Sequence, residues 1–336
     1  MAKVFYSKQI QNILKNLDYS RLGDNVGIKV HFGEKGCITY LNPKIVKTVY
    51  EKIISLGKKA TLIETNVLYG GSRTKKVDHL RTAKEHGFDF APIDILDGEK
   101  GEEFIEVEVG LDKLAKLGKG LEKYDSLVVI SHFKGHPMAG FGGAFKNIGM
   151  GLASRGGKLH MHSNVSPRVV VDKCTACGIC AENCDSNAII INEKAEIDLD
   201  KCTGCSMCIA VCPQKAISIP WGALTTKDLQ ERIINYCNAV FKVISKDKMI
   251  FINVLENITK DCDCFDYEQK PIIEDIGILV SEDILSIDQA SLDLVNSKLD
   301  KNLFEITPDG NPQLDCAEKL GLGQKNYEII DLDEKS

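Results

Sequence analysis

The sequence lacks any run of about 18 consecutive apolar residues, so no membrane-spanning helix is expected. Its first residues, MAKVFYSKQIQNILKNLDYS, lack a positive stretch followed by an apolar core, so no secretory signal is expected and the chain reads as cytoplasmic and unprocessed. Positive charge is not in excess. The 42 Lys and Arg against 48 Asp and Glu give a formal net charge of -6, which argues against a nucleic-acid partner, because phosphate binding needs a basic face. Neither the P-loop nor the dinucleotide fingerprint occurs, so nothing supports a nicotinamide cofactor. Apolar residues are not scarce: at 43% hydrophobic and 27% charged, the composition is that of a folded globular chain rather than a disordered one.

What is abundant is cysteine, thirteen in 336 residues, eight of them in one short segment. In a reducing compartment such clustering means metal rather than disulfides. The segment is a repeat with a period of 28 residues: VVVDKCTACGICAENCDSNAIII from Val169 matches IDLDKCTGCSMCIAVCPQKAISI from Ile197. Each copy reads as short strand, cysteine loop, short helix and short strand. Breaks at Ser166-Pro167 and Pro220-Trp221 bound a module at 166–220, with repeats of about 166–194 and 195–220.

Cys174, Cys177, Cys180 and Cys184 form C-x2-C-x2-C-x3-C, and Cys202, Cys205, Cys208 and Cys212 repeat it. Three cysteines two residues apart can wrap three corners of a cubane, and the fourth corner comes from a distant segment. The ligands are therefore expected to cross. Cys174, Cys177, Cys180 and Cys212 would hold one [4Fe-4S] cluster, and Cys202, Cys205, Cys208 and Cys184 the other. Two structural zinc sites compete with this reading, but zinc is satisfied by two C-x2-C pairs and needs no further cysteine in each repeat. The segment resembles the bacterial two-cluster ferredoxins; Asp185 stands where that family usually has proline after the fourth cysteine, implying a change in local polarity with the ligand spacing intact.

Outside the module, strands and helices alternate. VGIKV (26–30), ATLIET (60–65), PIDIL, FIEVEV and SLVVI read as strands. Asn42-Pro43 opens a helix that runs to Gly57, Thr74 is a candidate cap for a helix ending at His86-Gly87, and another helical stretch is expected near 111–122. After the module come a helix from about Thr226 and the strands MIFINVL and IGILV. The expectation is an α/β body with a mostly parallel sheet, split into residues 1–165 and 221–336 by an inserted α+β ferredoxin-like module. The loops beyond the carboxyl ends of its strands would carry the site.

One such loop, SHFKGHPMAGFGGAFKNIGMGLASRGGKLHMHS, has eight glycines between Gly135 and Gly157, which let the backbone approach a ligand, a cluster or another segment closely. Lys134, Lys146, Arg155 and Lys158 could help cradle a phosphate or carboxylate there, Lys146 most directly if a helix begins near Ala144. His132, His136, His160 and His162 lie in or beside it; His132, His136 and Lys146 are the catalytic candidates. Cys262 and Cys264, in DCDC, are a candidate third metal or redox site, although Asp261 and Asp263 beside them disfavour thiolates. Cys37, Cys237 and Cys316 are isolated and expected to pack.

GHPMAGFGGAFKNIGMG, ASRGGKLHMHS, NVLENITKDCDC and PIIEDIGILVSEDILSIDQASLDLV resemble the family known as domain of unknown function 362 over nearly the full length. That resemblance implies an α/β protein often carrying a ferredoxin-type segment, and iron-sulfur redox work without a named substrate. The expected function is electron transfer through two [4Fe-4S] clusters to a redox partner protein or small-molecule acceptor at the glycine-rich loop. The alternative is a metal- or anion-binding assembly module with structural or sensory clusters.

Overall fold

The computed structural model describes residues 1–111, 114–163 and 166–333. Eight strands form the main sheet: β1 (Ala2–Ser7), β2 (Asn25–Lys29), β3 (Lys59–Glu64), β4 (Ile93–Ile95), β5 (Ser126–His132), β6 (Met249–Leu255), β7 (Gly277–Ser281) and β8 (Tyr327–Asp331). Their order is β8-β1-β7-β6-β5-β2-β3-β4. Only β7 runs against its neighbours β1 and β6; the other adjacent pairs are parallel. The sheet is therefore the mostly parallel one expected of an α/β chain. It is built from both sides of the cysteine-rich segment, since β5 pairs directly with β6.

Alternation along the strands sends successive residues to opposite faces. Leu127, Val129, Met249 and Phe251 enter one core with helices Thr226–Val243, Ile284–Lys298 and Asn311–Lys319. Val128, Ile130, Ile250 and Ile252 enter the other, against helices Pro43–Ser55 and Lys76–Glu85. Local chemistry sets the helix starts. Asn42 accepts from the Lys44 amide ahead of Pro43, and Thr225 forms a reciprocal capping box with Asp228.

Two local expectations are corrected. Thr74 does not cap the next helix: its hydroxyl turns back to the Tyr69 and Gly71 carbonyls, and the helix starts at Lys76 without a side-chain cap. The helix expected near 111–122 is instead a strand, Ala115–Gly118, followed by the 3-10 turn Lys119–Lys123; residues 112–113 lie outside the described ones. Gly118 and Gly120 both pack against Leu96, where a Cβ would come within about 3 Å of it, and the strand pairs with Phe104–Val107 in a separate ribbon. FIEVEV is thus a strand, but outside the main sheet.

Within the cysteine-rich segment, Arg168–Val169 pairs with Ile217–Ser218 and Ile189–Ile191 with Ala195–Ile197. The first strand of one repeat thereby meets the last strand of the other. Positive-φ residues recur at the 28-residue period: Ala176 with Gly204, Gly178 with Ser206, and Asn187 with Lys215. A small core of its own includes Ile189, Ile209, Ala216 and Ile217, and Leu68 and Leu159 of the α/β body pack into it.

Candidate functional site

The backbone pairing of the repeats brings the eight cysteines together as two tetrads. Cys174, Cys177, Cys180 and Cys212 line one small cavity, and Cys184, Cys202, Cys205 and Cys208 line the other. Amides turn toward the sulfurs at equivalent places: Ala188 N–H lies 3.3 Å from Cys184 Sγ, and Ala216 N–H lies 3.2 Å from Cys212 Sγ. Two more amides, Ala195 and Ala176, hold the Cys174 thiol below its ordinary value. Burial and the neighbouring sulfurs push Cys208 and Cys205 up. Neither lining contains a histidine or carboxylate, so each donor set is all sulfur, with amides placed to support thiolates.

A far larger cavity, about 810 Å³, opens beyond the carboxyl ends of β2, β3, β5 and β6. It lies where the strand order reverses, between β2 and β5, as open α/β sheets commonly arrange their ligand sites. Three buried ion-pair groups frame it. Lys29 Nζ is 3.0 Å from Glu64 and donates to Asn147 Oδ1 at 2.8 Å, while the Asn147 amide donates to the Ile130 carbonyl and Ser131 hydroxyl. Arg73 meets Glu34 at 3.4 Å and donates to the Tyr69 hydroxyl. Asp263 holds His132 at 2.9 Å and Lys134 at 3.0 Å. Burial alone would raise the Asp263 carboxyl, but the His132 ring and the Lys134 ammonium outweigh it and hold it below its ordinary range.

Against that frame stand groups with chemistry to spare. Lys146 Nζ is 3.6 Å from Cys262 Sγ, and one ligating atom each of His136, Cys262 and Cys264 all lie within 4.8 Å of one another. Hydrogen bonding from the Cys264 thiol, with support from Lys146 and Lys134, drives Cys262 well below its ordinary value, while Cys264 is driven well above it. The expectation that the flanking aspartates would disfavour a thiolate is corrected for Cys262: Asp263 does push upward, but it is engaged by His132 and Lys134, and Lys146 faces the sulfur. Burial, with Lys146 behind it, drives the His136 ring well below its ordinary value. His136 Nδ1 accepts from the Met138 and Ala139 amides at 3.1 and 2.9 Å, so the neutral ring carries its proton on Nε2.

The other candidates fall differently. His132 has both nitrogens engaged, Nδ1 by Asp263 and Nε2 by the Glu256 carbonyl, which makes it a positioning group. His160 contacts the Tyr236 hydroxyl at 3.0 Å, away from the cavity lining. His162 lines the cavity edge-on to Trp221. Lys158 reaches Thr65 and the Asn66 and Ala153 carbonyls, and burial lowers it to about 8. Arg155 is spent on the Lys100, Leu68 and Thr74 carbonyls.

The anion cradle expected at the start of a helix near Ala144 is corrected. A six-residue helix, Ala144–Gly149, does begin there, but the Asp288 carboxylate accepts from the Ala144 and Phe145 amides at 2.8 and 3.0 Å. The protein supplies its own anion. Most of the loop's glycines serve close approach between segments: a Cβ at Gly135 would collide with the Lys260 carbonyl and one at Gly149 with that of Ile233. Cys37 and Cys237 are buried as expected, and Cys316 is half-buried.

His31, Glu34, Glu64 and Arg73 were not legible as site residues, although a lysine or glutamate inside an apolar strand, as in VGIKV and LIE, is a signal that a buried charge has a task. The cavity and the tetrads adjoin. Lys215, three residues after Cys212, lines the cavity, and cavity residue Leu68 belongs to the same small core as Cys174 and Cys180. Gly156, on helix Arg155–His162, lies against Cys205 of the other tetrad.

No helix among the described residues is long and apolar enough to cross a membrane. No curated protein matches the chain. Among solved structures, the lactate racemase apoprotein from Thermoanaerobacterium thermosaccharolyticum aligns with a TM-score of 0.38 at 13% identity, over 76% of this chain and 50% of that one. A protein from Thermotoga maritima aligns with a TM-score of 0.43 at 11% identity, over 86% of this chain and 57% of that one. The chain thus covers less than two thirds of either. A family model described as Domain of unknown function (DUF362) matches residues 26–293, which take in the large cavity and both cysteine repeats, and the chain belongs to that family.

Proposed function

We propose that each cysteine tetrad holds one [4Fe-4S] cluster, within a ferredoxin-type module spanning about 166–220, and that the chain is an electron-transfer protein whose α/β body binds the reactant in the 810 Å³ cavity. The observation that carries this reading is the composition of the tetrads: each takes three cysteines from one repeat and the fourth from the other. Each cluster, when bound, would supply a one-electron carrier. The chain's own part is to set eight thiolates and their supporting amides in place. Leu68 and Lys215 hold the cavity wall against one tetrad, and the buried ion pairs keep the cavity framed and charged. Iron and acid-labile sulfide analysis of anaerobically purified protein, with electron paramagnetic resonance of the reduced form, tests it; a chain carrying zinc and no sulfide would refute it.

A second reading, a metal held by His136, Cys262 and Cys264 for storage or delivery, is favoured by their spacing within 4.8 Å. One observation weighs against it. A metal-bound histidine ordinarily donates its other ring N–H outward, whereas His136 Nδ1 receives two amide protons. Metal analysis decides between the two readings, since the second requires a metal beyond the cluster iron that disappears when His136 and Cys264 are replaced.

A further inference from the structure

The turn that carries Cys262 and Cys264 is fixed from several sides. Asp263, between them, is pinned through its carboxylate by His132 and Lys134, and its carbonyl accepts from the Glu34 amide at 2.8 Å. The Phe265 amide closes the turn on the Cys262 carbonyl at 3.2 Å. Both sulfurs are thereby held on the wall of the large cavity, within 4.8 Å of each other, with Lys146 beside one of them. Cationic side chains in the lining outnumber carboxylates: Lys35, Arg73, Lys134, Lys146, Lys158 and Lys215 against Glu34, Glu64 and Asp266. Electropositive surroundings and an adjoining cavity are what distinguish reactive from inert cysteines.

We propose that Cys262 and Cys264 are a dithiol–disulfide couple on the cavity wall, with Cys262 as the attacking sulfur and a small anionic disulfide as the substrate class. Cys262 Sγ, as thiolate, attacks one sulfur of the substrate R–S–S–R′; the Cys262–S bond forms as the substrate S–S bond breaks, and R′S⁻ departs to take up a proton. Cys264 then gives up its proton and attacks the Cys262 sulfur, which closes the Cys262–Cys264 disulfide and releases RS⁻. The substrate gains two electrons and the cysteine pair loses two. Two electrons from a one-electron reductant of the iron-sulfur class, together with two protons, restore the dithiol; this last step rests on the electron-transfer reading above. The His136 ring, one nitrogen of which lies within 4.8 Å of both sulfurs, carries its proton on Nε2 and would donate it to a sulfur within reach.

The test uses the full chain, purified without oxygen, exposed to oxidised glutathione as the anionic disulfide and to cystamine as a cationic one, with disulfides mapped by mass spectrometry. Oxidised glutathione is expected to convert Cys262 and Cys264 to an internal disulfide at least tenfold faster than cystamine does. Cys264→Ser should trap a mixed disulfide on Cys262, and Lys146→Met should narrow the preference for the anion to about threefold or less. If both cysteines stay reduced in the wild-type chain under conditions that oxidise exposed thiols, or if a stoichiometric metal shields them until a chelator removes it, the couple is refuted. Iron and sulfide are measured on the same samples. Intact clusters without a Cys262–Cys264 disulfide sink the couple alone. A disulfide formed in chains that never hold iron or sulfide sinks the proposed electron source, and with it the restoring step.

Discussion

Lys146 Nζ stands 3.6 Å from Cys262 Sγ on the wall of the large cavity, an ammonium facing a thiol that the Cys264 hydrogen bond, Lys146 and Lys134 hold well below its ordinary value. The contact joins the glycine-rich loop after β5 to the turn after β6, two segments more than a hundred residues apart. Replacing Lys146 by methionine keeps most of the stem and removes the charge. The pH at which iodoacetamide labelling of Cys262 reaches half its plateau rate should rise by about one unit, while iron content is unchanged. Superimposable pH profiles in the two proteins would mean that the lysine does not support the thiolate.

Asp263 is the shared anion of a buried triad with His132 and Lys134. Asp263→Asn leaves a buried ammonium without its carboxylate, and loss of one partner from such a group costs about 3–5 kcal/mol in urea unfolding. The pH dependence has a definite sign. The Asp263 carboxyl is held below its unfolded value, so its stabilisation is present above the unfolded value, near pH 4, and is lost as the pH falls through the folded one. The gap between wild type and Asp263→Asn should therefore close on acidification below about pH 4.

Asp288 works in the opposite direction. Burial raises it to about 6 although the Ala144 and Phe145 amides and Asn253 oppose the shift. A carboxyl raised above its unfolded value contributes stability that is full below the unfolded value and lost as the pH rises through the folded one. Relative to Asp288→Asn, the wild-type chain should gain thermal stability as the pH falls from about 7 to about 5. A flat difference across that window would show that the carboxyl titrates normally.

Gly135 takes the backbone against Lys260, on the approach to the cysteine turn, and its amide donates to the Thr259 carbonyl at 2.8 Å. Gly135→Ala places a methyl group where the Lys260 carbonyl oxygen lies. Because the obstacle is backbone rather than a flexible side-chain tip, the cost should be about 1–3 kcal/mol in chemical denaturation. A neutral result would mean that the turn moves freely, and would weaken the view that the two cysteines are held in place.

What could be read from the chain depended on how far apart the cooperating residues lie. The tetrads were legible because the cysteines keep one local spacing in both copies and the 28-residue repeat supplies the partner segment. The sheet was legible because apolar strands such as SLVVI and MIFINVL are buried on both faces. The cavity was legible only in part: its place beyond the strand ends and its residues His132, His136, Lys146, Cys262 and Cys264 could be read as candidates, but His31, Glu64 and Arg73 join them only once β2, β3, β5 and β6 lie side by side. Local inference also misjudged charge. Asp263 is adjacent to both thiols in sequence, yet it spends its charge on His132 and Lys134, and Asp288, more than 140 residues away, occupies the helix start at Ala144.

The most direct measurement is the iron and acid-labile sulfide content of anaerobically purified wild-type chain and of Cys212→Ala. About eight of each per chain are expected in the wild type. Cys212 completes the tetrad of Cys174, Cys177 and Cys180, so its replacement should perturb that cluster's electron paramagnetic resonance signal first and leave the signal of the other. Damage confined to the cluster held by Cys202, Cys205 and Cys208, or a wild-type chain with zinc and no sulfide, would contradict it.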